Sequence, residues 1–168
     1  YALHHRGQES CGIVVNDAGK FSMRKDTGLV SDVFNGTKLA DLGQGNMAIG
    51  HVRYGTLSTK ERVNAEPIVV NHIKGRMAIA TSGSLVNAAS IKRELELSGN
   101  IFHTMSDAEV VSCVITRERL TAPTIEDAVS RAMDRLDGGL CFLLMSPQKL
   151  IAVRDKRGLH PLCYGVRE

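Results

Sequence analysis

Three short segments of this 168-residue chain carry side chains that could grip and polarise a small charged molecule. In Gly50-His51-Val52-Arg53-Tyr54-Gly55-Thr56 a strand runs into a Gly-Thr turn. The two-residue side-chain period puts His51 and Arg53 on one face, with Arg53 at the strand's end. A guanidinium there can hold a carboxylate through two parallel hydrogen bonds, with the hydroxyl or N–H of Thr56 beside it, although a solvated or structurally paired arginine is the commoner case for such a residue alone. Ser106-Asp107-Ala108-Glu109 satisfies the Ser-x-x-Glu capping box, in which Ser106 and Glu109 tie up free N–H groups at a helix start and Asp107 faces the helix dipole. A carboxylate so placed can also receive a ligand's ammonium group. Paired with Arg53, it matches the two charges on the α-carbon of an amino acid.

The third segment, Ile79-Ala80-Thr81-Ser82-Gly83-Ser84-Leu85-Val86-Asn87, reads as a strand, a small-residue turn and a helix entry. Gly83 lets a backbone N–H approach a ligand and Ser82 adds a hydroxyl donor, a pairing suited to an oxyanion; an ordinary serine-rich helix entry has the same composition. The opening stretch from His4 to Ile13 holds two adjacent histidines, which in a strand or helix cannot both face one metal, so no metal site is expected. Cys11-Gly12 has the look of a nucleophile, but no pattern places a histidine beside it. A packed thiol is the expectation.

The elements that must position these groups change type along the chain. Gly12–Val15 and Phe21–Arg24 make a hairpin around the turn Asn16-Asp17-Ala18-Gly19, and Met47–Tyr54, Pro67–Val70 and Met77–Ala80 read as further strands. Helices follow over Val86–Ser98, Ser106–Arg119 and Thr124–Leu136, the last with acids in its first turn. Gly139–Met145 and Leu150–Arg154 return to strand. Segregated strands and helices favour an α+β fold with antiparallel sheets in one domain.

Composition narrows the function classes. With 43% apolar and 23% charged residues the chain is an ordinary globular domain. The net charge of +3 is dispersed, with short runs only at Lys92-Arg93 and Arg154-Asp155-Lys156-Arg157, so no nucleic-acid partner is expected. No stretch approaches the roughly 20 apolar residues needed to cross a bilayer and no leader pattern opens the chain, so no membrane partner is expected and the location expected is cytoplasmic. The four cysteines lack any Cys-x-x-Cys spacing and fit a reducing compartment, with Cys113 and Cys141 expected as buried small hydrophobes. Tyr1 in place of a methionine reads as a fragment.

Taken together, His5-Arg6-Gly7-Gln8-Glu9-Ser10-x-Gly12-Ile13, Gly50 to Thr56, Gly83-x-Leu85-Val86-Asn87 and Ser106-Asp107-x-Glu109-Val110 resemble the glutaminase domain of amidophosphoribosyltransferases. Glu66-Pro67 and Gly158-x-His160-Pro161-Leu162 extend the resemblance over nearly the whole chain. It implies the N-terminal-nucleophile hydrolase fold, a four-layer αββα sandwich with antiparallel sheets, here spanning 1–168, incomplete at both ends and lacking the first strand and the last ones. Loss of that first strand is expected to leave an unpaired edge beside Gly12–Val15.

The resemblance also implies the chemistry. A cysteine at the mature N-terminus attacks the glutamine side-chain amide with its own α-amine as base, a sensible pairing of an amine near ~8 with a thiol near ~8.5. Arg53 and Thr56 would hold the glutamine α-carboxylate, Asp107 its ammonium, Gly7 and Gly83 would give backbone contacts, and Ser82 with Gly83 would form the oxyanion hole. Ammonia would pass to a phosphoribosyltransferase domain, absent from this chain, to make 5-phosphoribosylamine in purine synthesis. The resemblance implies glutamine as partner, a homo-oligomer, no cofactor in this domain, and Mg and an iron–sulfur cluster in the missing one.

Three departures stand out: the Cys-Gly start is expected upstream of Tyr1, Ser82 replaces an asparagine, and His160 replaces an arginine. From the first, the expectation is that the fragment is inactive as it stands. Alternatives are a non-catalytic glutamine-binding or docking domain of the same fold, and another class II amidotransferase such as glucosamine-phosphate synthase. The latter carries Arg-Gly-Tyr-Asp-Ser where this chain has Arg6-Gly7-Gln8-Glu9-Ser10.

Overall fold

A computed structural model describes residues 2–54 and 61–167, so Thr56 lies outside the described residues. β1 (Ser10–Asp17) and β2 (Lys20–Thr27) form the expected hairpin. Ala18 and Gly19 in its two-residue loop both have positive φ, at 48° and 91°, which matches the right-handed twist of the flanking strands. β3 (Met47–Arg53) pairs with the other side of β1, giving a first sheet in the order β2-β1-β3. Gly12–Val15 is therefore the centre of that sheet and is paired on both sides, contrary to the edge expected there; β3 occupies the place left open in that expectation.

The second sheet has the order β4-β5-β6-β7, from β4 (Ile68–His72), β5 (Gly75–Leu85), β6 (Gly138–Met145) and β7 (Leu150–Arg154), all antiparallel. The segment 81–85 is not a turn. β6 pairs with β5 as far as Leu85↔Gly138, so the ladder holds those small residues extended and the next helix starts at Ala88 rather than Val86.

Alternation along β1 separates the layers. Val14 joins Ile49, Ala78, Ala80 and Met145 in a cluster between the two sheets, while Cys11, with Ile13 and Val15, turns the other way towards Val33, Phe34 and Leu42. Those residues belong to or follow two short helices, α1 (Val30–Val33) and α2 (Gly36–Ala40), which no sequence pattern announced. On the far side, α3 (Ala88–Leu97), α4 (Asp107–Arg119) and α5 (Ile125–Arg135) cover the second sheet over the largest cluster, which includes Ile79, Leu95, Val111, Val114 and Leu144. The result is helices, sheet, sheet, helices. Cys141 is buried as expected, but Cys113 is only half-buried on α4. No helix among the described residues is long and apolar enough to cross a membrane.

Candidate active site

The C-terminal end of β3, the end of β5 and the start of α4 meet around a cleft of about 420 Å³ between the sheets. Its lining includes Arg53, Ser82, Gly83 and Asp107, so four of the residues singled out from sequence converge although they are far apart in the chain. Gly7 stands behind them. It is buried, and a Cβ there would come within 2.6 Å of the Arg53 backbone, so only glycine lets the segment before β1 lie against the end of β3.

Arg53 donates from one guanidinium nitrogen to the Asn64 carbonyl at 2.6 Å, which orients the planar group at the cleft. Asp107 is the first residue of α4, after Ser106 as N-cap, whose Oγ accepts from the Ala108 N–H at 3.2 Å. The Oδ2 of Asp107 accepts from the Leu85 N–H at 2.8 Å, tying the helix start to the end of β5 and leaving Oδ1 for another donor. The capping box is realised only in half: Glu109 accepts from the N–H groups of His103 and Thr104 and from the Thr104 hydroxyl, not from Ser106. Gly83 has φ +96°, a conformation that glycine adopts without strain, in the middle of a paired strand. Ser82 and Ser84 flank it, exposed to the cleft.

The arrangement offers a cation and a carboxylate for the two charges of an amino acid, and hydroxyl and backbone donors for a polarised carbonyl. Sequence reasoning gave no role to Arg6, His51 or Glu66, which line the same cleft. Glu66 could have been noticed as a lone acid in the apolar run Ala65-Glu66-Pro67-Ile68-Val69-Val70. It is 3% exposed.

Cys11 is no part of this cleft. Its thiol is buried against the Gly28 carbonyl, and burial first, then Asp26 and Asp32, push it up to about 11, which makes it a poor nucleophile. Among the described residues no three His, Cys, Asp or Glu side chains come together to hold a metal. A second cavity, of about 260 Å³, is lined by His72, Lys74, Arg76 and Arg119, but Lys74 and Arg119 donate to the Leu120 and Ala122 carbonyls just past the C-terminus of α4.

The double sheet defines an αββα sandwich with a charged cleft between its sheets. A family profile described as the glutamine amidotransferase domain matches residues 51–168. The chain belongs to that family. Among its relatives, the amidophosphoribosyltransferase of Methanocaldococcus jannaschii is 42% identical over 165 residues, 98% of this chain and 35% of that protein. The Bacillus subtilis amidophosphoribosyltransferase is 38% identical over 99% of this chain and 34% of its own length. The solved B. subtilis glutamine phosphoribosylpyrophosphate amidotransferase, complexed with ADP and GMP, superposes with a TM-score of 0.86 over 95% of this chain and 34% of that one. A solved structure described as that of a predicted glutamine amidotransferase from Pseudomonas aeruginosa shares the fold alone, at 16% identity and a TM-score of 0.59. The fold is that of the N-terminal-nucleophile hydrolases, and the chain spans about a third of the length of the curated relatives it matches.

Proposed function

We propose that this chain binds glutamine in the inter-sheet cleft and hydrolyses its side-chain amide within a longer, cytoplasmic, oligomeric amidophosphoribosyltransferase. The ammonia passes to a phosphoribosyl-transferring part and yields 5-phosphoribosylamine from phosphoribosyl pyrophosphate for purine synthesis. What supports the reading most is the convergence of Arg53, Asp107, Ser82 and Gly83 on one cleft. Arg53, with Thr56 by resemblance, takes the α-carboxylate; Asp107 Oδ1 takes the ammonium. The amide carbonyl then lies towards Ser82 and Gly83, whose donors stabilise the oxyanion formed when an N-terminal cysteine thiolate attacks. The α-amine of that cysteine takes the thiol proton and returns it to the leaving ammonia.

Ser82 favours a second reading, glutamine binding without turnover, because a serine hydroxyl reaches less far than an asparagine amide. Loss of one oxyanion donor costs about 3 kcal/mol. The test uses the full-length protein with its processed N-terminus, measuring glutamine binding by calorimetry and ammonia release in parallel. Binding with release supports the first reading. Binding without release, restored by Ser82→Asn, supports the second. Absence of binding to the wild-type protein defeats both.

A further inference from the structure

Three consecutive buried residues, Asn64, Ala65 and Glu66, between 1% and 3% exposed, fasten β3, β5 and the start of α4 around the cleft. The Asn64 carbonyl accepts from Arg53 at the end of β3, and its side-chain oxygen accepts from the Met105 N–H at 2.8 Å, just before α4. The Ala65 carbonyl accepts from Lys25 Nζ of β2 at 2.5 Å. Burial lowers the Lys25 ammonium from its ordinary value, against the pull of Glu66 and with the help of Arg62.

Glu66 makes the central tie. β4 begins at Ile68, opposite Ile79, so the Thr81 N–H lies past the end of that pairing. The Glu66 carboxylate takes the place of the missing strand: Oε2 accepts from the Thr81 N–H at 2.6 Å, and both oxygens lie 3.0 Å from the Thr81 hydroxyl. Oε1 also accepts from the Ser106 hydroxyl at 2.5 Å, and His51 Nε2 lies 3.9 Å from Oε2. Thr81 immediately precedes Ser82 and Gly83, and Ser106 immediately precedes Asp107. One buried carboxylate therefore joins the strand that carries the amide-end donors to the helix start that carries the amino-end acceptor.

We propose that Glu66 is a positioning residue of the glutamine site, setting the span between the Ser82-Gly83 donors and Asp107. The proposal rests on the glutamine reading for its functional consequence, though the tie itself can be tested without substrate. Burial of a carboxylate is costly unless its oxygens are satisfied, and removing it strands the donors that faced it. Glutamine at the same place keeps one oxygen for the Thr81 N–H, while its NH₂ can donate to the hydroxyl oxygens. The hydrogen-bond frame therefore survives Glu66→Gln and not Glu66→Ala.

In the full-length protein, Glu66→Ala is expected to speed hydrogen exchange at the Thr81 amide and, through misplacement of the substrate ends, to lower kcat/KM for glutamine about a hundredfold with both kcat and KM affected. Glu66→Gln is expected to restore Thr81 protection and to bring kcat/KM back to within about threefold of wild type, as a preserved frame requires. Wild-type protection and kinetics in Glu66→Ala, or a Glu66→Gln variant as impaired as Glu66→Ala, overturn the proposal. If Glu66→Ala does not fold, the double variant Thr81→Val with Ser106→Ala removes both hydroxyl ties. A drop of about tenfold in kcat/KM supports the brace and unchanged kinetics overturn it. A wild-type protein that does not bind glutamine defeats the substrate reading, while the exchange measurement still decides whether Glu66 is the tie.

Discussion

The imidazole of His160 packs against the backbone of Gly83: a Cβ added to Gly83 would come within 2.7 Å of His160 Nε2 and would also run into the Gly139 carbonyl. The position is closed to side chains from two directions, and its φ of +96° is strained for any other residue. His160 thus backs the strand that lines the cleft, from the segment after β7.

Gly83→Ala is expected to destabilise the fold by about 1–3 kcal/mol from the backbone conformation and the two contacts. It should also lower ammonia release about a hundredfold, as expected when an oxyanion donor is displaced. Thermal unfolding and a glutaminase assay check the two effects. Adding His160→Ala should recover little, because the Gly139 carbonyl is backbone and stays in place.

Asp107→Asn should raise KM for glutamine on the order of tenfold to a hundredfold, the worth of a charge-assisted hydrogen bond, while the bond from the Leu85 N–H survives. Arg53→Lys should act similarly, since an ammonium cannot both reach the Asn64 carbonyl and grip a carboxylate with two parallel donors. Steady-state kinetics with glutamine, and calorimetry against glutamate and asparagine, would show it. An unchanged KM in both variants removes these residues from the site.

These two charges are legible in the sequence, because a strand-end arginine and a first-turn aspartate each carry a local signature. What joins them is not. The capping pattern at Ser106–Glu109 placed the helix correctly, yet Ser106 donates to Glu66 forty residues away and Glu109 reaches back to His103 and Thr104. Neither partner lies within the window in which a cap is read. The extent of β5 was missed for a related reason: Thr81-Ser82-Gly83-Ser84 has turn composition, and only its pairing with β6 makes it strand. α1 and α2 are four and five residues long, too short for a helical period to repeat.

Cys11 should resist alkylation. With its thiol pushed up to about 11, roughly one molecule in a thousand carries the thiolate at pH 8, and the sulfur is buried as well. Cys163, exposed in the segment after β7, should react first with iodoacetamide. Peptide mapping after brief labelling checks this, and early labelling of Cys11 would contradict the burial described.

Asp155 accepts from the N–H groups of Arg157, Leu159 and His160, and these bonds, led by that of Leu159, hold its carboxyl below the ordinary value despite some opposing desolvation. The sign follows: the folded form favours the ionised state, so the stabilisation is fully present above the unfolded carboxyl value near ~4 and is lost as pH falls through the lower folded one. Acid titration followed by exchange at the Leu159 amide should show this turn opening below about pH 4, and Asp155→Asn should show no such pH-dependent opening.

The clasp at Asn64–Glu66 places part of the ruler of the cleft in a connection, beside the direct bond from the Leu85 N–H to Asp107. A single inserted residue between Asn64 and Ile68 would alter the gap between Asp107 and Gly83. Discrimination between side chains that differ by one methylene, glutamine against asparagine, would then be inherited through the length of a short linker.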